Sequence, residues 1–306
     1  MKNITEKKYL TRHPLDIWKS EEVTNLLIDF FSANFKKAGL SQKMARDFVL
    51  TAFAKRKTED REKSRETCDR ILLEAKEKAK NGPDEIEPLE LFDFSGTGTF
   101  IDIGANKLAT INYLAKKFKN IKKFIGVDTI PRRNDFSDPK KSAYFQVDPK
   151  ANNFPVKNDS VDFINLQFVL HHFLNLGAIK KTLADCRKIL KPNGALLLWE
   201  ESFMKNFDAD MTRENNRLGI KTDKSLTEKF YALSEKKRWE FIVANDWLIN
   251  VNNPHMPWTG QYYKWNEWIN ILREAGFGLE KEYNFGLRIN GRIKQGVHIL
   301  GLFEVR

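Results

Sequence analysis

The chain has 306 residues, a formal net charge of +11 and two cysteines. At this length it can bury a sizeable core, either as one large domain or as one domain with an added cap. Its apolar stretches are shorter than the ~18 residues that a membrane span needs, and Met1 to Lys8 contain no apolar signal core. We therefore expect a cytoplasmic protein without a membrane span.

The two cysteines, Cys68 and Cys186, lie far apart in helical patterns, which favours separate reduced thiols in a cytosolic protein. Cysteine and histidine residues nowhere have metal-ligand spacing, since the adjacent His171 and His172 point in different directions. The sequence thus predicts no metal site.

Helical patterns dominate the N-terminal part of the chain, from residue 15 to residue 82. Apolar residues recur at helical spacing in its first half, and Ser41 can cap a second helix. The charged segment from Lys55 to Lys80 predicts a solvated helix face. Because Asn81-Gly-Pro83 ends this region, we predict a helical N-terminal cap over residues 1–90.

After the cap, an apolar run passes through Asp102 to Gly104, and a helical pattern begins at Leu108. This order predicts a strand, a tight turn and a helix. Glycine has no Cβ, so a nucleotide-like ligand can approach the backbone of such a turn. A second apolar run ends at Asp128, whose carboxylate can accept hydrogen bonds from both hydroxyls of a ribose.

Three further apolar runs follow, and each ends in polar residues. These ends are Asp148, His171-His172 and Glu200-Glu201. A helical segment from Ile179 to Leu190 separates the last two runs. Strands that alternate with helices in this way predict a parallel, doubly wound sheet.

The C-terminal part combines helices with a final pair of strands. Residues 203–260 predict a polar helical insertion, and the segment from Lys264 predicts a helix that Gly276 stops. Leu279 to Phe285 and Val297 to Val305 predict two antiparallel strands. The expected fold class is α/β: a doubly wound, mostly parallel, seven-stranded Rossmann-like sheet with the N-terminal helical cap and with the insertion before the C-terminal hairpin.

Five motifs follow one another between about residues 98 and 202. They are Ile101-Asp-Ile-Gly-Ala105, Gly126-Val-Asp128, Phe154-Pro-Val156 with Asp159-Ser-Val-Asp162, Val169-Leu-His-His172 and Arg187-Lys-Ile-Leu-Lys-Pro-Asn-Gly194. In this order and spacing they resemble the class I S-adenosylmethionine-dependent methyltransferases with a methyltransferase-11/25-like core. The resemblance implies S-adenosylmethionine as the cofactor, methyl transfer as the activity, and a methyltransferase domain over residues 91–306.

Open α/β sheets bind ligands at the carboxyl ends of their strands, so the residues that end these strands should line one crevice. The resemblance implies that Asp102, Gly104 and Ala105 flank the methionine end of the cofactor. It implies that Asp128 holds the ribose, with Thr129 beside the adenine. The further cofactor residues that it implies are Asp148 and Pro149 at the adenine and Gln167 at the methionine moiety.

One part of the turn departs from the family pattern, which is usually richer in glycine. Asn106 and Lys107 stand in its later part, and we expect Lys107 to point to solvent because a lysine is unfavourable near a cationic sulfonium. This departure keeps a catalytically inactive, methyltransferase-fold binding subunit open as an alternative.

Methyl transfer is an in-line displacement at an activated carbon, so the enzyme mainly aligns the reactants and excludes water. A base is needed only when the nucleophile must lose a proton. The candidate bases are His171, Glu200 and His255, although the family often has His-His at this place for packing. The candidate substrate residues are Glu201 and the aromatic residues Trp258, Tyr262 and Tyr263 of a proline-containing loop, for which core packing is the alternative.

The charge and the aromatic residues favour RNA as the substrate and partner. The lysines between Lys116 and Lys123 contribute to the basic excess. Gln167 to His172 also resembles a stretch of mRNA cap guanine-N7 methyltransferases, and Val169 to His172 resembles the tRNA wobble-uridine methyltransferases. The same pattern occurs in small-molecule methyltransferases, so a quinone, lipid or metabolite substrate stays open, as does the oligomeric state.

Overall fold

The structure, a computed structural model, describes residues 14–55, 61–78, 88–131, 135–148, 154, 156–206, 208–251, 259–291 and 296–306. One seven-stranded sheet has the order β3-β2-β1-β4-β5-β7-β6. Its strands are β1 Thr99–Ile103, β2 Lys123–Asp128, β3 Ser142–Gln146, β4 Val161–Gln167, β5 Leu190–Glu201, β6 Phe277–Leu287 and β7 Val297–Val305. The predicted α/β class is confirmed, with a mostly parallel sheet and an antiparallel hairpin at the C-terminal end.

The chain changes direction across the sheet at β1. It passes from β1 to β2 and β3 on one side and returns to β4 and β5 on the other side. Asp102 of β1 is in register with Gly126 of β2 and with Asn165 of β4, and all three strands are parallel. Ligands of open α/β sheets bind at such a switch point, beyond the carboxyl ends of the strands.

In the described ranges the chain also forms helices of 4 to 18 residues. They are α1 Pro14–Ile17, α2 Glu21–Lys37, α3 Gln42–Lys55, α4 Arg61–Lys78, α5 Ala109–Lys117, α6 Leu176–Ile189, α7 Ala209–Arg217, α8 Lys224–Ala232, α9 Glu235–Ile249 and α10 Trp265–Glu274. None of the helices in the described ranges is both long and apolar enough to cross a membrane.

The contacts divide the chain into two compact units. One unit, which we call the helical unit, comprises Met1–Pro88, Glu201–Lys264 and Asn284–Ile299. The other, the sheet unit, comprises Leu89–Glu200, Trp265–Tyr283 and Leu300–Arg306. The sequence predicted a cap at 1–90 and a domain at 91–306 with an insertion at about 203–260. This division into continuous segments stays a prediction.

In the helical unit, local capping and apolar spacing explain where α2 begins and which face it buries. The Ser20 side chain accepts a hydrogen bond from the Val23 N–H at 3.3 Å, which satisfies one donor of the first turn. Buried apolar residues recur three or four positions apart along α2 and pack in the core of the unit. The Glu240 carboxylate of α9 accepts both the Lys19 and the Ser20 N–H at 2.5 Å.

The insertion is less polar in structure than its sequence pattern suggests. All positions from Glu240 to Ile249 in α9 are buried, so this helix is a central element of the helical unit's core. Phe241 lies 6.2 Å from Phe30 and 5.3 Å from Phe230, measured between ring centroids. A helix that is buried on all sides has little amphipathic contrast, which is why its position was not evident from periodicity.

In the sheet unit, one carboxylate fixes the start of the central strand. Asp162 Oδ2 accepts the N–H groups of Gly98 at 3.0 Å and Thr99 at 2.8 Å, and Lys191 Nζ lies 2.7 Å from Asp162 Oδ1. Burial alone would raise the pKa of Asp162, but the hydrogen bonds from Lys191, Thr99 and Gly98 outweigh it and lower the pKa. Stability gained from this group is therefore present above the unfolded-state pKa and is lost as the pH falls through the folded-state pKa.

Replacement of Asp162 should destabilise the sheet unit. In Asp162→Ala the two N–H groups lose their acceptor, and we expect a loss of about 1–3 kcal/mol in the free energy of unfolding at pH 7. Urea unfolding at pH 7 and at pH 3 checks this, because the difference between variant and wild type should shrink at the lower pH. Asp185→Asn, which removes only ion pairs of the half-buried Asp185 with the exposed Lys181 and Lys188, is the matched control and should change little. An equal loss in both variants would contradict this role.

Candidate functional site

The turn after β1 has a geometry that only glycine fits at its first position. Gly104 has a φ of +80°, and a Cβ there would lie 2.6 Å from Val169 Cγ2. The N–H groups of Gly104 and Ala105 both donate to the Val127 carbonyl, at 2.8 and 3.2 Å. The turn is thereby fastened to the end of β2, with Ala105 buried and Gly104 half-buried.

Two other positions of this turn adopt the left-handed conformation without being glycine. Asn106 has a φ of 38° and Leu108 has a φ of 59°. A non-glycine residue in this region costs roughly 1–2 kcal/mol, although asparagine tolerates it better than most. Leu108 is fully buried, and its Cδ2 lies 3.0 Å from the place where a Cβ on Gly126 would lie. Core packing thus holds Leu108 in a conformation that glycine adopts more easily.

Asp128 connects this turn to the end of β2. Its Oδ2 accepts the Asn106 N–H at 2.7 Å, while its Oδ1 accepts the N–H groups of Thr129 at 2.6 Å and Ile130 at 3.3 Å. The side chain is half-buried, and Thr129 beside it is exposed. The predicted ribose-binding carboxylate therefore also shapes the backbone of the predicted cofactor turn.

Asp102 is a buried acid in the middle of the sheet. It is 3% exposed, and the Asn165 side-chain amide donates to its Oδ1 at 2.7 Å. Burial raises the pKa of Asp102 to about 7, the hydrogen bond from Asn165 opposes this rise, and the negative charge of Asp128 adds to it. Asp102 can therefore change its charge near neutral pH.

Two further predicted cofactor residues, Gln167 and Asp148, lie at the same edge of the sheet. The Thr110 hydroxyl in the first turn of α5 donates to Gln167 Oε1 at 3.0 Å. Asp148 is exposed and follows the end of β3 by two residues. Pro149 lies outside the described residues.

The segment from Phe168 to His172 packs against the turn through Val169. Phe168 has a φ of 51°, its N–H donates to the Trp199 carbonyl at 2.8 Å, and its ring lies 5.0 Å from the Trp199 ring. The segment continues into a short 3-10 helix, Leu170–His172. Because the Gly104–Val169 contact admits no Cβ, this segment and the cofactor turn fit closely together.

The Glu200 carboxylate holds this segment in place. Its Oε1 accepts the N–H groups of Leu170 at 2.8 Å and Val169 at 3.3 Å. Its Oε2 lies 2.5 Å from His171 Nδ1, and both side chains are buried. The other candidate histidine is adjacent, since the His172 ring lies 4.0 Å from the His171 ring. Sequence reasoning named Glu200 and His171 separately, but it missed that they form a pair.

The predicted substrate residues that the structure describes belong to the helical unit. Tyr262 and Tyr263 are buried; the hydroxyl of Tyr262 donates to Asp246 Oδ2, and that of Tyr263 donates to Gln261 Oε1 at 2.6 Å. Glu201 is also buried, with its Oε1 3.9 Å from His298 Nε2. His255 and Trp258 lie outside the described residues.

The lysines that suggested an RNA surface lie at the opposite end of the sheet from the cofactor turn. Lys116 and Lys117 end α5, and Lys123 begins β2, whereas Asp128 ends β2. Lys119 and Lys122 lie between α5 and β2. A strand of this length spans roughly 17 Å. These side chains are exposed: Lys116, Lys117, Lys119, Lys122 and Lys123.

Residues 101–198 match the model of a family described as a methyltransferase domain. The chain carries a class I S-adenosylmethionine-dependent methyltransferase domain. It is a methyltransferase, and its cofactor is S-adenosylmethionine. The matched range begins in β1 and ends in β5, so it contains the turn, Asp128 and the Phe168–His172 segment.

Several solved methyltransferase structures are similar to this methyltransferase in fold. The methyltransferase in a complex with the Trm112 methyltransferase activator of Haloferax volcanii is 14% identical over 68% of this chain and 83% of that chain, with a TM-score of 0.42. An S-adenosylmethionine-dependent methyltransferase from Listeria monocytogenes is 14% identical over 71% and 95%, with a TM-score of 0.45. The pyocyanin biosynthetic protein PhzM is 12% identical over 82% and 60%, with a TM-score of 0.47. No curated protein matches the chain significantly.

The residues in and beside the turn after β1 fit the cofactor chemically. The cofactor carries a cationic ammonium group at one end and a ribose and an adenine at the other. Asp102 can supply a buried negative charge, and Asp128 is a half-buried acceptor next to the exposed Thr129. The missing Cβ at Gly104 brings the backbone close to Val169, which keeps the turn tight.

Replacement of Gly104 should disrupt the turn after β1. In Gly104→Ala the new Cβ meets Val169 and the positive φ becomes strained. We expect a loss of about 2 kcal/mol in the free energy of unfolding, measured by thermal unfolding. We also expect at least a ~10-fold weaker affinity for S-adenosylmethionine, measured by calorimetric titration. Adding Val169→Ala should recover part of both.

Gly96→Ala is the matched control for this variant. Gly96 has a φ of +76° but nothing within 4 Å of an added Cβ, so it suffers the same backbone strain without the clash. It should lose some stability and keep its cofactor affinity. A similar loss of affinity in both variants would show that the close contact with Val169 is unimportant.

Proposed function

We propose that the enzyme transfers the methyl group of S-adenosylmethionine to a small organic molecule and holds the cofactor at the carboxyl ends of β1, β2 and β4. One observation carries the choice of substrate: the candidate reacting group His171 is 2% exposed. A substrate that reaches this group is small or presents one small group.

The two acidic residues at the strand ends support the placement of the cofactor. A carboxylate offers about four acceptor positions. Asp128 accepts three backbone N–H groups and, at 3.4 Å, the Thr129 hydroxyl. A ribose hydroxyl can take the place of the Thr129 hydroxyl, which can rotate away. Asp102 in its charged form suits the ammonium group at the methionine end, with Gly104, Ala105 and Gln167 nearby in the chain or on the neighbouring strand. When bound, S-adenosylmethionine supplies a methyl group that its sulfonium has already activated.

The pair formed by His171 and Glu200 supports a base at this edge of the sheet. With the Nδ1–H donating to Glu200 Oε2, the lone pair of a neutral imidazole lies on Nε2. This nitrogen can accept a proton from a hydroxyl or amine nucleophile as the methyl group is transferred. Glu200 then acts as a positioning residue rather than as the base. His255 stays a second candidate base.

RNA is the second candidate substrate, and the charge of the chain favours it. The net charge of +11 includes the five exposed lysines at the amino end of β2. RNA bound there would contact the protein far from the cofactor turn, so its methylated base would have to extend across the sheet unit. The buried hydroxyls of Tyr262 and Tyr263 already have acceptors, which does not favour these rings as an exposed stacking platform.

Asp128→Asn should weaken S-adenosylmethionine binding at least ~10-fold, because the amide replaces a charged acceptor by a neutral one and presents donors to the turn. Calorimetric titration of the cofactor measures this. The control, Asp135→Asn, changes an exposed aspartate away from the turn and should leave the affinity unchanged. An unchanged affinity in Asp128→Asn would overturn the placement of the ribose.

Methyl transfer from tritiated S-adenosylmethionine separates the two substrate classes. The protein is incubated in parallel with total RNA and with a low-molecular-weight cell extract. We expect tritium in small products and none in RNA. His171→Gln should bind the cofactor with unchanged affinity but transfer methyl groups ~100-fold more slowly.

Tritium that stays with RNA and is released by ribonuclease would overturn the small-molecule proposal. RNA affinity that falls steeply with added salt would add to that result. An unchanged rate of methyl transfer in His171→Gln would contradict the proposed role of His171 as the base. It would not affect the proposed substrate class.

A further inference from the structure

We propose that Asn165 is a positioning residue of the cofactor site: its side-chain amide orients the Asp102 carboxylate and favours its charged form, so that Asp102 can bind the ammonium group of S-adenosylmethionine. This inference rests on the proposed placement of the cofactor. It assigns a role to a residue of β4 that lies outside the strand-end positions from which the sequence suggested the site.

The geometry of the two strands supports this role. Asp102 and Asn165 are partners in the register of the parallel strands β1 and β4, and Asn165 Nδ2 lies 2.7 Å from Asp102 Oδ1. Side chains at such paired positions lie on the same face of the sheet. The short distance is typical of a hydrogen bond to a charged acceptor.

Asn165 is a polar residue in a pair of strands whose other register pairs are apolar. The other register pairs of β1 and β4 are Phe100 with Phe163, Ile101 with Ile164 and Ile103 with Leu166. Asn165 is 0% exposed, and burying an amide costs more than burying an aliphatic side chain unless its hydrogen bonds are made. Its hydrogen bond to Asp102 offsets part of this cost, although no described residue donates to Asn165 Oδ1. The bond to Asp102 therefore accounts for an amide at this position.

The groups around Asp102 otherwise disfavour its charge. On the β2 side its register partner is Gly126, which has no side chain, and the next acid along that strand, Asp128, repels a negative charge. Lys107 on the turn is exposed. On the β4 side, Asn165 donates the hydrogen bond that opposes the rise in the pKa of Asp102, and Gln167 further along is neutral.

A pH dependence of cofactor affinity follows from the pKa of about 7. The ammonium group of the cofactor attracts the charged form, so affinity should fall as the pH decreases through 7. The folding stability of the cofactor-free protein depends on pH in the opposite direction. Because the folded-state pKa is raised, the folded protein binds a proton that the unfolded chain releases, and this contribution to stability is lost as the pH rises toward and through 7.

Asn165→Leu is the test variant, because leucine has a similar size but donates no hydrogen bond. If the lost hydrogen bond raises the pKa of Asp102 by about one unit, affinity for S-adenosylmethionine should weaken ~9-fold at pH 6, ~5-fold at pH 7 and ~2-fold at pH 8 relative to wild type. A ratio that shrinks as the pH rises is expected only if the charge of Asp102 is involved. Calorimetric titrations in buffers of constant ionic strength measure it.

Two controls separate positioning from a structural role. Leu166→Ala perturbs the same strand without touching the hydrogen bond, so any loss of affinity should be the same at each pH. Methylthioadenosine contains the ribose and the adenine but no ammonium group, and its affinity should not respond to Asn165→Leu. Asn165→Ser, a smaller change that keeps a polar side chain but shortens it, is the second variant if leucine prevents folding.

The outcomes distinguish this inference from the proposed function. A ratio of affinities that is constant from pH 6 to pH 8, or an equal effect on methylthioadenosine, overturns the role of Asn165 while the cofactor site stands. Wild-type protein that binds no S-adenosylmethionine at any pH overturns the proposed site, and with it this inference.

Discussion

The parallel register of β1 between β2 and β4 is the constraint on which the site depends. It places Asp102 beside Asn165 and brings the strand-end residues Asp128 and Gln167 to one edge of the sheet. Local geometry alone would not assemble them, because each strand end carries only one or two of these side chains. The turn at Gly104 and the segment at Val169 then fit together only because the strands that carry them are neighbours.

Buried or half-buried carboxylates that each accept two neighbouring backbone N–H groups recur in both units. Asp162 holds the start of β1, Glu200 holds the segment before the short 3-10 helix, and Glu240 holds the start of α2. Such carboxylates satisfy backbone donors that no helix or strand partner can reach. This role explains why Glu240 is buried although it does not belong to the candidate site.

The sequence predicted much of the sheet unit because apolar runs and strand-end acids are local signals. Asp102, Gly104 and Asp128 were identified in this way, and the structure places them at neighbouring strand ends. The pairing of Glu200 with His171 was not predictable from spacing, since it depends on how β5 lies beside β4. Asn165 carried a signal, an amide between the apolar residues Ile164 and Leu166 of β4, but its meaning required its partner. The helical unit was harder, because the burial of α9 on all sides leaves no periodic pattern.

Leu108 shows that a residue other than glycine can hold a left-handed backbone conformation in this turn. Its left-handed φ is unfavourable in an isolated peptide, and its side chain fills the space that Gly126 leaves empty. The conformation is therefore stable only after β1, β2 and α5 have packed. In a glycine-rich turn the backbone can reach this shape before the core forms; here the shape of the turn is a product of the finished core. The turn after β1 is accordingly shaped by tertiary packing, and a loosening of the contact between β2 and α5 should first change the backbone of this turn.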